Sequence, residues 1–73
     1  MESVVNNVQT LRKAKNITQE MFAEAVGVTR QTVIAIEKGN YTPSVLLALK
    51  ISKYFGVPVE EVFSVVQSSK KRI

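Results

Sequence analysis

The stretch TQEMFAEAVGVTRQTVIAIEKG, residues 18–39, decides the fold. It holds two helical patterns separated only by Gly27, Val28 and Thr29, and each is opened by the same device. Thr18 and Thr29 suit the N-cap position, because a side-chain oxygen there accepts a hydrogen bond from a backbone N–H that the helix leaves unpaired. Ile17 stands before the first cap with Phe22 at the fourth helical position after it, and Val28 and Val33 repeat the spacing around the second cap. Such pairs act as hydrophobic staples that fix the angle at which the chain enters the helix. Gly27 supplies the left-handed backbone that stops one helix so close to the start of the next. Two helices joined by a three-residue turn containing glycine cross sharply, which is helix-turn-helix geometry.

Turning the second of these helices at 100° per residue puts Thr29, Val33, Ile36 and Glu37 on one side and Arg30, Gln31, Ile34, Ala35 and Lys38 on the opposite arc. The first arc reads as core, and the second as a face presented outward. Glu37 on the apolar side needs a partner, since an unpaired carboxylate is costly to bury. Arg12, next to Leu11 and four residues after Val8, lies on the inner side of the chain's first helix, ahead of the two just described.

Working outward, Val4, Val8 and Leu11 share a helical face, so residues 4–15 read as a helix with Ser3 as cap and Asn16 as breaker. Thr42 before Pro43 reads as a cap and first helical residue, opening a fourth helix that runs to Phe55 before Gly56. Residues 59–63 read as a short fifth helix. Residues 64–73 turn polar and then basic, so fraying is expected there, with Val65 and Val66 available to dock. The fold class expected is therefore all-α, with five helices. Helix four carries two apolar stripes: Val45, Ala48, Leu49, Ser52 and Phe55 are expected to face inward, leaving Leu47, Ile51 and Tyr54 as a second stripe. That stripe is expected to form a homodimer interface, the alternative being that a C-terminal segment with Val62, Val65 and Val66 folds over it.

Composition narrows the function. A chain of 73 residues buries only a modest core. With no cysteine and no histidine, the commonest metal ligands and general bases are missing. The six acidic residues are scattered glutamates; Glu60 and Glu61 are the one adjacent pair, and neighbours on a helix do not face each other. No enzyme, metal centre or cofactor is expected. The net charge of +4 and pI near 9.7 point to a polyanion, but Lys70, Lys71 and Arg72 supply much of it. That basic tail either touches phosphates or is a solvated end. Nothing reads as a signal peptide or membrane span, so a cytoplasmic protein without membrane association is expected.

The stretch quoted first, continued by NYTPSVLLALKISKYFGVPVEEVF, resembles the phage repressor and Cro family, the XRE family, over roughly residues 6–63. Several features stand in register: TQ opening helix two, FA within it, GV in the turn, IEKG closing helix three, TPS opening helix four and FGVPVEEVF at the close. Pro58 stands where the family usually has a capping serine, and Ser52 where it usually has alanine. The resemblance implies a five-helix lambda-repressor-like bundle whose helices two and three form the helix-turn-helix. Residues 1–66 would be the DNA-binding domain and 67–73 the basic tail.

The resemblance also implies a transcriptional regulator that binds double-stranded DNA, a repressor on a two-fold symmetric operator, acting as a dimer. The cap and the next two helical positions, here Thr29, Arg30 and Gln31, are expected to reach base edges, with Ala35 one turn later. Arg30 offers a fork to guanine O6 and N7 and Gln31 pairs similarly with adenine, while Ile34 either presses on a thymine methyl or is an ordinary exposed aliphatic. The family gives Gln19 a phosphate contact. Lys38, Asn40, Tyr41 and Ser44 surround the loop after helix three and are expected to donate to phosphates; Thr32, at the boundary, meets phosphate or solvent. The family also pairs an arginine with a glutamate at the positions of Arg12 and Glu37, a structural ion pair. No small-molecule effector is evident. The alternative is a protein-interaction module, or an antitoxin-like partner, that uses the exposed helix-four stripe.

Overall fold

The computed structural model describes residues 2–67. They run in the order β1 (Glu2–Asn6), α1 (Val8–Ala14), α2 (Gln19–Val26), α3 (Arg30–Glu37), α4 (Val45–Phe55), α5 (Val59–Val62) and β2 (Phe63–Gln67). Residues 68–73 of the expected tail lie outside the described residues.

Local hydrogen bonds set the central junction. Thr18 Oγ1 accepts from the Met21 N–H at 3.0 Å and opens α2, and Thr29 Oγ1 accepts from the Thr32 N–H at 3.2 Å and opens α3. Between them Gly27 adopts φ 78°, a left-handed conformation, so that the Val28 N–H reaches back to the Ala23 carbonyl at 2.9 Å. A side chain at Gly27 would be strained by that backbone. The inward faces of the five helices then supply one core: Val8, Phe22, Ala23, Val26, Val33, Ile36, Leu47, Ile51 and Val62. Phe22 stacks on Phe55 at 5.1 Å and meets Tyr54 at 5.5 Å, locking α4 across α2.

The fold is not purely helical. β1 and β2 form a two-stranded antiparallel sheet in which Val4 faces Val65, Val5 faces Ser64 and Asn6 faces Phe63. Both strands are short runs rich in β-branched residues, which suit a pleated pairing. Val4 shares helical spacing with Val8 and Leu11, but the first helix begins only at Val8. Asn6 breaks the pattern there: its Oδ1 accepts from the Val8 N–H at 3.0 Å, while its Nδ2 donates to the Ile36 carbonyl at 2.9 Å. Asn7 adds two bonds to the end of α5, from its N–H to the Val62 carbonyl and from its Nδ2 to the Glu61 carbonyl. Val65 and Val66 pair with β1 but remain exposed.

Helix α4 also differs from expectation, in start and in phase. Its cap is Ser44, whose Oγ accepts from the Leu47 N–H at 3.2 Å, so Thr42 and Pro43 lie in the preceding loop. Leu47 and Ile51, expected on a dimer surface, are 7% and 0% exposed and belong to the core, and Tyr54 packs against Phe22 and Phe55 of its own chain. Val45, Leu46 and Leu49 face outward instead, at 76%, 65% and 52% exposure. The reason is geometric: with so many apolar residues around α4, burial follows the direction of Phe22 and Val26 rather than hydropathy. Ser52 is buried and donates from Oγ to the Leu49 carbonyl at 3.0 Å, so its hydroxyl costs little there. Pro58 starts α5 without a side-chain cap, the turn being closed by the Glu61 N–H on the Pro58 carbonyl at 2.9 Å.

Truncation separates the two stripes of α4. Ile51→Ala is expected to destabilise the fold by about 2–5 kcal/mol, against less than about 1 kcal/mol for Leu49→Ala, in chemical denaturation. Equal losses would refute the assigned phase.

Candidate nucleic-acid interface

The first turn of α3 is presented by its cap and by the turn before it. Thr29, Arg30 and Gln31 are exposed, Thr32, Ile34 and Ala35 are half-buried, and Val33 and Ile36 anchor the opposite side at 0% and 1% exposure. The Thr29 and Thr32 hydroxyls lie 3.1 Å apart, so one donates to the other and both are tied to the cap. Arg30 and Gln31 thus stand at the start of a helix held rigidly from behind, with no acidic residue in its first turn.

Beneath that helix lies an ionic cluster. Arg12 Nε donates to Glu37 Oε2 at 2.7 Å and Arg12 Nη2 to Glu37 Oε1 at 3.2 Å, a two-bond fork between α1 and α3. Arg12 Nη1 donates to the Ile17 carbonyl at 2.8 Å, just before the α2 cap. The Glu37 side chain is only 3% exposed, so this partner offsets a desolvation cost that would otherwise oppose folding. Gln19 Nε2 also donates to Glu37 Oε1, at 3.1 Å. Gln19, Arg12, Thr18, Glu20 and Arg30 line an open depression of about 440 Å³, which places the start of α2 and the start of α3 on one surface.

A second depression, of about 250 Å³, brings Tyr41 and Ser44 beside Gly27 and Val28, together with Lys50. Ser44 Oγ accepts the α4 cap bond but keeps its own hydroxyl hydrogen to donate. Lys38 and Asn40 are exposed at the close of α3, where the Asn40 N–H returns to the Ala35 carbonyl at 2.9 Å. The residues named from sequence therefore fall into the start of α2, the outer face of α3 and the loop into α4. Two supports went unnamed. Asn6 fastens the last turn of α3, and Lys50 stands at the turn; a lone asparagine between valines and a lysine in an apolar helix carry no local signal of those positions.

The pattern of this chain matches a helix-turn-helix family model over residues 8–62. It belongs to the XRE-type helix-turn-helix family. An HTH-type transcriptional regulator of Bacillus subtilis is 59% identical over 58 residues, covering 80% of this chain and 88% of the relative. One from Methanocaldococcus jannaschii is 53% identical over 58 residues, with the same coverage of both chains. The crystal structure of the restriction-modification controller protein C.AhdI of Aeromonas hydrophila superposes with a TM-score of 0.70 at 29% identity, covering 75% of this chain and 83% of that one. This helix-turn-helix protein is a DNA-binding transcriptional regulator and not an enzyme, and its partner is double-stranded DNA. Among the described residues no helix is long and apolar enough to cross a membrane.

The ionic cluster makes a direct stability prediction. Arg12→Ala leaves the Glu37 carboxylate buried without its partner, and a loss of about 3–5 kcal/mol is expected, read as a clear drop in melting temperature. An unchanged melt would remove the pair from any structural role.

Proposed function

We propose that this regulator reads a specific double-stranded operator through the first turn of α3 and acts as a repressor by occupying it. The observation that supports this most is the exposure of Arg30 and Gln31 on a helix whose opposite face is fully anchored. Arg30 would fork onto guanine and Gln31 onto adenine, each worth about 1–3 kcal/mol of discrimination. Thr29 and Ala35 approach base edges as well, and Ile34 offers its aliphatic body to a thymine methyl. Gln19, Thr32, Lys38, Asn40, Tyr41 and Ser44 would contact the sugar-phosphate backbone and set the register, giving affinity without sequence choice.

A homodimer on a two-fold symmetric site completes the reading, since two recognition helices about 34–36 Å apart reach successive major-groove faces. Its support in this chain is the exposed apolar face of Val45, Leu46 and Leu49, the kind of contiguous patch that marks an interaction surface. That face replaces Leu47, Ile51 and Tyr54, which are committed to the protomer's own packing.

Selection from a random double-stranded DNA library tests the reading, with the wild type beside an Arg30→Ala, Gln31→Ala variant at near-physiological salt. The wild type is expected to enrich a two-fold symmetric site that the variant does not. Enrichment of nothing, with only weak salt-sensitive binding, would overturn sequence-specific readout.

A further inference from the structure

The Glu37 carboxylate does more than balance Arg12. Its Oε1 accepts two hydrogen bonds, one from Arg12 Nη2 and one from Gln19 Nε2, and the side chain that receives them is 3% exposed. Gln19 is half-buried, is the first residue of α2, and makes no other side-chain hydrogen bond among the described residues. A primary amide is planar and carries two N–H donors on one nitrogen. Once Glu37 takes one of them, the direction of the other and of the amide oxygen is fixed.

We infer that Glu37 is a positioning residue for DNA docking: held by Arg12, it orients the Gln19 amide so that its remaining N–H is delivered to a phosphate oxygen. This inference rests on the operator reading above and extends it to a residue that does not touch DNA. The physical gain is pre-organisation. A free glutamine loses rotamer freedom on binding, whereas one already fastened has lost it on folding. The same carboxylate is the last residue of α3, so the amide that would hold the backbone and the helix that would read the bases share one fixed reference.

The test is a thermodynamic cycle on the duplex selected by the wild type, measured by titration at fixed salt. Gln19→Ala is expected to weaken binding about tenfold in the native background, as for a hydrogen bond to a charged group. In an Arg12→Met, Glu37→Met background, where an apolar pair replaces the ionic one, the same change is expected to cost less than about twofold. Should that background fail to fold, Glu37→Asp takes its place: it keeps a charge for Arg12 but withdraws the carboxylate by one methylene, and the Gln19→Ala penalty is again expected to collapse. A penalty of the same size in every folded background overturns the positioning role while leaving DNA binding intact. No penalty in the native background overturns the Gln19 contact itself. A wild type that selects no duplex overturns the operator reading and this inference together.

Discussion

The Arg12–Glu37 fork is the constraint on which the functional half of the molecule depends. It joins α1 to the end of α3, and through the Ile17 carbonyl it also grips the chain where α2 begins. Three helices thereby share one desolvated cluster. A buried ion pair is a poor source of net stability, because desolvation consumes most of the Coulombic gain. What it supplies here is geometry: guanidinium and carboxylate match in only a few orientations, so α3 is fixed in rotation as well as position.

The same inward side of α3 is completed by apolar packing. Val33 and Ile36 sink into the core beside Phe22 and Val26, and the two threonine caps determine where α2 and α3 start. The outward face is thus what remains after every inward position has been assigned, and Arg30 and Gln31 are exposed because their neighbours are not. Asn6 adds a third hold, from the strand side, on the carbonyl of Ile36. An element so restrained presents its first turn with little freedom left to lose on binding.

The helix-turn-helix was legible because its signals are local. Thr18, Gly27 and Thr29 act within a few residues of themselves, and the one outward and one inward arc of α3 differ in polarity. Glu37 and Arg12 were also legible, since a carboxylate on an apolar arc asks for a cation. Helix α4 was not: Val45, Leu46, Leu47, Leu49 and Ile51 surround it with apolar residues, and hydropathy alone cannot choose which of them face Phe22. Thr42 before Pro43 matched the local pattern of a cap, but the Leu47 N–H is taken by Ser44 two residues later. The strands were hidden for a different reason. Each is a short run whose partner lies at the far end of the described chain, and Val4 fits a helical face as well as a strand.

The pairing of β1 with β2 has a consequence for how the molecule closes. An ordinary hairpin is joined by a tight turn of a few residues, whereas these strands are joined by all five helices. Two strands alone in water are marginal, so the pairing relies on Asn6 and Phe63 being brought together by the bundle. Asn7 bonds to Val62 and Glu61 at that junction and sets the first rung. In effect the helical domain is the turn of its own hairpin, and the ribbon can be zipped only when that turn is folded.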